Sequence, residues 1–175
     1  MIIRAAEPTD ADAIAVIYNQ GIEDRLATLE TETRSAEERA RWLAARGPRH
    51  PVIVGELGGR VVGWGSLNSF NPRPVYDHVA DFSVYVGRDW RGRGVGHRLL
   101  EALIARAREL GYHKLVLAAF PFNAAGITLY GRLGFVDVGV YREQGQLDGK
   151  WVDVVVMERL LCDPVATSPP ADGPP

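Results

Sequence analysis

Three glycines within six residues, Arg91-Gly92-Arg93-Gly94-Val95-Gly96, join a stretch that alternates like a strand to one that repeats like a helix. From His78 to Val86, the residues Ala80, Phe82, Val84 and Val86 fall on one face, while Val79, Asp81, Ser83 and Tyr85 fall on the other. Beyond the loop, Leu99, Leu100, Leu103, Ile104, Ala107 and Leu110 form a helical stripe that Gly111 stops. Glycines here let the backbone turn sharply and approach a ligand closely. The following helix aims its free N–H groups and positive dipole end at the loop, and Arg91 and Arg93 carry charge suited to phosphate oxygens. Together these features describe a diphosphate site, although a tight strand–helix turn alone would show the same glycines. A P-loop is excluded because no Gly-Lys-Ser/Thr ending is present. The dinucleotide fingerprint fails as well: its third glycine comes one residue early, and the loop lies mid-chain.

The flanking sequence places this unit in a mixed fold. Ile2-Ile3-Arg4 reads as a short strand, and Thr9-Asp10 as an N-cap before the helical spacing of Ala13, Ile14, Ile17 and Tyr18. Ser35-Ala36-Glu37-Glu38 has the pattern of a capping box, opening a helix that ends near Gly47-Pro48. Pro51–Glu56 and Arg60–Leu67 flank Gly58-Gly59 as a hairpin, followed by a loop from Asn68 to Pro74. Leu115–Ala119 is a strand, Asn123–Leu133 a helix closed by Gly134, and Phe135–Tyr141 a strand. Asp148-Gly149 is a turn before a last strand, Trp151–Leu161. The fold class is therefore α/β or α+β with a mixed sheet. Residues 1–161 form one domain, and the proline-rich segment 162–175 is expected to be a disordered tail.

Charge and composition remove several function classes. The formal net charge of -2 gives no electrostatic case for nucleic acid, and the arginines 88, 91, 93 and 98 crowd one loop rather than tracking a stripe. No apolar run approaches the length of a membrane span, and the start lacks the shape of a signal peptide, so a cytoplasmic protein is expected. The single cysteine, Cys162, excludes a disulfide framework, and no His/Asp/Glu cluster has metal-ligand spacing, so no metal is implied.

The Arg-x-x-Gly-x-Gly loop after Ser83-Val84-Tyr85-Val86, with a second helix ending Leu129-Tyr130-Gly131-Arg132-Leu133-Gly134-Phe135, resembles the GNAT acetyltransferase superfamily over about residues 1–161. The resemblance implies a mostly antiparallel twisted sheet flanked by helices, with a splayed central strand pair, and acetyl-CoA as co-substrate. It places the acetyl-pantetheine against backbone at Val84, Tyr85 and Val86. The diphosphate falls on Arg91, Gly92, Arg93, Gly94, Val95 and Gly96, with His97 at the helix start. Asn123 matches the position that bonds the pantetheine arm, and is equally a plain helix N-cap. Tyr130 matches the tyrosine that serves the leaving thiolate, and is also placed to pack beside Leu129 and Leu133.

Three further segments narrow the likeness: Ile17-Tyr18-Asn19, Arg73 to Val86, and Gly149-Lys150-Trp151-Val152-Asp153-Val154. They look like the phosphinothricin acetyltransferase subgroup, with its arsinothricin, methionine sulfone and methionine sulfoximine members. Such enzymes acetylate the α-amino group of glutamate-like amino acids, serve in antibiotic or herbicide resistance, and are often homodimers. An ammonium must lose a proton before it attacks a thioester, so a carboxylate on the cleft face is required, directly or through a water. Asp81 stands where the subgroup usually carries glutamate; being one methylene shorter, it favours a bridging water. Arg73 is placed to hold an acidic group in two-point fashion, and Phe70 and Tyr76 to wall the substrate pocket. Direct transfer in a ternary complex is expected. The competing readings are a protein or peptide N-terminal acetyltransferase and a non-catalytic acetyl-CoA sensor.

Overall fold

The computed structural model describes residues 1–161; the expected tail and Cys162 lie outside the described residues. The chain runs β1 (Ile2–Ala5), α1 (Ala11–Glu23), α2 (Ala36–Ala44), β2 (Val52–Leu57), β3 (Arg60–Ser69), β4 (Val79–Val86), α3 (Val95–Glu109), β5 (Lys114–Ala119), α4 (Ala124–Arg132), β6 (Val136–Leu147) and β7 (Lys150–Leu160). The seven strands form one sheet in the order β1-β2-β3-β4-β5-β7-β6. Every neighbouring pair is antiparallel except β4 and β5, which are parallel because the α3 crossover separates them.

Apolar side chains on the two sheet faces build two cores. Leu67 and Phe82 pack with Leu99, Leu100 and Leu103 of α3 and with Leu117, and the α4 residues Leu129 and Tyr130 join that side. On the opposite face Trp64 packs with Ile14, Ile17, Tyr18 and Ile22 of α1 and with Trp42 of α2. Burial of these stripes, at roughly 25 cal/mol per Å² of apolar surface, is what holds the helices to the sheet.

The local signals resolve as follows. Ser35 accepts a hydrogen bond from the Glu38 N–H at 3.1 Å while the Glu38 carboxylate accepts from the Ser35 N–H at 2.6 Å, completing the capping box. Asp10 precedes α1 at the N-cap position but does not cap it. Its carboxylate instead accepts from the Glu7 N–H at 2.8 Å and from both terminal nitrogens of Arg4 at 2.7 and 2.9 Å. The strand expected to end at Tyr141 continues to Leu147. An irregularity between Tyr141 and Gly145 lets it do so, where Glu143 takes a φ of 49° and donates its N–H to Asp153 at 2.8 Å.

Two glycines set how closely α3 lies on the sheet. A Cβ added at Gly65 would come within 2.8 Å of Leu103 and 3.0 Å of the Ser83 carbonyl oxygen, and one at Gly63 within 2.9 Å of the Tyr85 carbonyl oxygen. The crowded partners include backbone, which cannot swing aside as a side-chain tip does. Gly65→Ala is expected to lower stability by about 2 kcal/mol, read as a reduced urea midpoint with an unchanged slope.

Candidate functional site

The site begins where two strands part. Pairing between β4 and β5 covers only Val79 to Asp81 against Lys114 to Val116. From Phe82 onward β4 keeps β3 on one side and loses β5 on the other. The Gly87 N–H donates to the Val62 carbonyl of β3 at 3.0 Å, so by the two-residue period Tyr85 and Ser83 also face β3. The polar backbone groups of Val84 and Val86 are thereby aimed into the gap. Exposed strand edges need partners, and here the Val86 carbonyl accepts from Nε of Arg91 at 3.1 Å.

The gap opens into a cleft of about 870 Å³ lined by Val84, Tyr85 and Val86, the glycine loop, and the first turns of α4. Gly92 and Gly94 take φ values of 71° and 80°, and nothing lies within 4 Å of a Cβ built on either. They are glycine for their backbone conformation, and they leave an open cradle. α3 starts at Val95, so its first turn presents the N–H groups of Val95, Gly96 and His97 to that cradle. A diphosphate fits this arrangement of donors and positive dipole.

The arginines of the loop are not idle. Asp24, at the C-terminal end of α1, accepts from Nη1 of Arg91 at 2.6 Å and from Nη2 of Arg88 at 2.7 Å. The Arg88 and Arg91 guanidiniums hold its carboxyl below the usual carboxylate range, against the opposing effect of burial. Arg93 stacks over Trp90 at 5.4 Å, within cation–π range. His97 lies in the first turn of α3 and lines the cleft, its ring 3.4 Å from Glu101. The Val95 side chain is buried in the core, so only its backbone faces the loop.

Across the cleft, Oδ1 of Asn123 accepts the Gly126 N–H at 3.0 Å, so it is the N-cap of α4. Its Nδ2 makes no hydrogen bond within the described residues, so the cap leaves that donor open. Tyr130 both packs against Phe82 and Phe135 and lines the cleft. Burial pushes its hydroxyl up to about 12, with the Asp81 charge adding to the rise, so it stays a protonated donor at neutral pH. Asp81 sits at the last paired position of β4, where the gap begins. Burial pushes its carboxyl up to about 6, opposed only by the hydrogen bond from the Phe82 N–H.

Asp81, Arg93, Phe70, Arg73 and Tyr76 are not among the residues that line this cleft. Phe70 and Tyr76 stack edge to face at 5.7 Å in the β3–β4 connection, and Arg73 is exposed between them. Lys114 shares the face of Asp81, but its Nζ is paired with Glu158 at 2.7 Å. Sequence reasoning missed the connection from Asp24 to Arg34. It supplies Asp24, Leu26 and Ala27 to the cleft, and with Thr28 and Leu29 walls a second cavity of about 120 Å³ against Ala118 and Phe120. This strap is tied at its end by Asn19, which exchanges hydrogen bonds with the Arg34 backbone at 2.8 and 2.9 Å. Toward the other side, Arg25 pairs with Asp148 at the β6–β7 turn at 3.2 Å, and Leu29 packs on Gly145. Its anchors to the rest of the protein are long-range, so no spacing in the sequence marks where it lies. Among the described residues no three His, Cys, Asp or Glu gather as a metal site, and no helix is long and apolar enough to cross a membrane.

Residues 18–135 match the model of the Acetyltransferase (GNAT) family. The chain is 36% identical over 169 residues to an L-methionine sulfoximine/L-methionine sulfone acetyltransferase of Pseudomonas aeruginosa, covering 95% of this chain and 98% of the relative. Among solved structures, a GNAT superfamily phosphinothricin acetyltransferase from Sinorhizobium meliloti in complex with acetyl-CoA superposes with a TM-score of 0.88. It is 29% identical and covers 96% of this chain and 92% of that one. A ribosomal-protein-alanine N-acetyltransferase from Brucella melitensis gives 0.88 at 37% identity, covering 91% and 99%.

The Asp24 contacts have a measurable sign. A carboxylate whose pKa is lowered on folding stabilises above its unfolded pKa, and that contribution fades as pH falls through the folded one. Asp24→Asn is expected to lose about 1 kcal/mol at pH 7 and almost nothing at pH 2, compared by urea unfolding at both.

Proposed function

We propose, for a chain that belongs to the GNAT family of acetyltransferases and takes its acetyl group from acetyl-CoA, that the acceptor is the amino group of a small glutamate-like amino acid. Phosphinothricin, arsinothricin and methionine sulfoximine are of this kind, and resistance to such toxins is the role this assigns. The observation that carries the reading is Asp81: an acid with a raised pKa, on the cleft strand, at the point where β4 and β5 part. The likeness over nearly the whole chain to an enzyme named for methionine sulfoximine and sulfone supports the acceptor class.

The acetyl donor supplies a thioester; the chain supplies positions and a path for protons. Backbone at Val84 and Val86 and the open Nδ2 of Asn123 hold the pantetheine arm; Tyr85 lines the cleft, but its backbone, expected to join them, is paired with β3. The loop Arg91 to Gly96, with His97, holds the diphosphate by charge and by α3 N–H groups. Asp81 accepts the proton of the acceptor's ammonium, which leaves a nitrogen lone pair free to attack. Tyr130, neutral at working pH, donates its hydroxyl to the departing sulfur. Transfer is direct, within a ternary complex. Phe70 and Tyr76 wall the acceptor's side of the site, and Arg73 receives its acidic group.

The protein acts in the cytoplasm as a homodimer. β6 ends the sheet with one edge unpaired and with Val136, Val138 and Val140 exposed, at 61%, 57% and 53%. Such an edge is stable in solution when a second chain covers it. A second reading, acetylation of a protein N-terminus, draws on the likeness to the ribosomal-protein enzyme.

Purified protein with acetyl-CoA is expected to release thiol with these amino acids; turnover of peptides alone would favour the second reading. Since the base must be ionised, kcat/KM should rise with pH through about 6 and then level. Asp81→Asn should cut kcat at least about 100-fold with acetyl-CoA affinity kept, whereas a sensor has no turnover to lose. Sedimentation should show a dimer that Val138→Lys converts to monomer.

A further inference from the structure

On the face of the sheet that carries Asp81, a half-buried cation stands at the head of a chain of hydrogen bonds. Arg46, just past α2, makes no ion pair among the described residues. Its Nε donates to the His50 carbonyl at 2.8 Å, and its Nη2 to the Leu67 carbonyl and to Oδ1 of Asn68, the latter at 3.0 Å. Burial lowers its pKa from a very high starting value, and a guanidinium remains charged and donor-only.

That chemistry fixes every later link. Arg46 only donates, so the Asn68 atom facing it is the amide oxygen. The Ser66 hydroxyl donates to the same oxygen at 3.0 Å. The amide nitrogen must then point the other way, and Nδ2 of Asn68 donates to Oγ of Ser83 at 3.2 Å. Ser83 accepts through its oxygen, so its own hydrogen is free to donate, and no described protein group receives it. The dipoles run one way, with each positive end turned toward β4.

The chain ends beside the base. Asn68 stands directly across from Asp81 in the β3–β4 pairing, and Ser66 across from Ser83. Ser83 lies two residues along β4 from Asp81 on the same face, a spacing of about 6.6 Å between Cα atoms, close enough for one water to reach both side-chain oxygens. We propose that Arg46, Asn68 and Ser83 form a one-way relay whose last donor, the Ser83 hydroxyl, orients the water that carries the amine proton to Asp81.

The inference rests on the reading of Asp81 as the base. A water that accepts from Ser83 and donates to Asp81 keeps one lone pair, and that pair faces the ammonium. The N–H bond breaks with its electrons left on nitrogen, the water takes that proton, and it passes one of its own to the Asp81 carboxylate. The neutral amine then forms the C–N bond to the thioester carbonyl as the C–S bond breaks; the sulfur leaves with that electron pair and takes a proton from Tyr130, and the surplus proton on nitrogen returns through solvent to the Tyr130 oxygen. Ser83 reaches the reacting groups only through the water, so it and Asn68 are positioning residues.

Asn68→Asp is the sharpest test. It keeps the size and the Arg46 contact, but a carboxylate cannot donate, so the Ser83 hydrogen turns inward and the relay reverses. With wild-type enzyme acetylating methionine sulfoximine, kcat of this variant should fall at least about tenfold, with a melting temperature no lower than wild type. Ser83→Ala should lose about tenfold in kcat with KM for both substrates nearly unchanged. Ser83→Thr, which keeps the hydroxyl, should restore most of it. The relay is overturned by wild-type kcat in Asn68→Asp, by a Ser83→Ala defect confined to amine KM, or by losses that track a falling melting temperature in both variants. A wild-type enzyme inert toward every amino acid tried overturns the acceptor reading and the relay together.

Discussion

The β4–β5 pairing fails after three residues, and the rest of the molecule is organised by that failure. Two parallel strands joined by a helix must leave room for the crossover, and here α3 lies close on Gly63 and Gly65 of β3. A helix seated so near the sheet starts at the mouth of the gap and turns its free N–H groups into it. Backbone groups that a continuous sheet would consume stay available at Val84 and Val86. The wedge therefore combines open main-chain groups with side chains such as Leu26, Trp90 and Leu129.

Electrostatics gives the glycine loop and the point where β4 and β5 part opposite characters. At the loop end, charge is abundant and compensated: Arg88 and Arg91 share Asp24 while α3 adds its dipole. At the other end, Asp81 has no cation beside it, and burial alone lifts its pKa. Arg46 is kept apart from it by two neutral side chains. A direct ion pair would have held the carboxyl low; with neutral side chains between them, burial sets the Asp81 carboxyl instead.

Much of this was legible in the chain. The glycine loop, the alternation of β4, the capping box and both hairpin turns are local signals, and each stands where its chemistry demands. Asp10 misled because its residue type suits a cap, while a partner from β1, Arg4, claimed it instead. The strand β6 outran its apolar pattern because pairing with β7, not hydrophobicity, extends it to Leu147. The strap from Asp24 to Arg34 and the Arg46–Asn68–Ser83 chain were invisible for a common reason. Both are anchored by contacts between residues distant in sequence, which no local pattern of spacing reveals.

Asp24 and Arg25 are consecutive, yet they serve opposite sides of the protein. The left-handed conformation of Arg25, with φ of 55°, reverses the chain between them. One side chain grips the loop that faces the donor, and the other grips the tip of the β6–β7 hairpin. A change that moves the hairpin tip therefore pulls on the glycine loop through a single peptide bond, and change at either end is constrained to leave this one reversal intact.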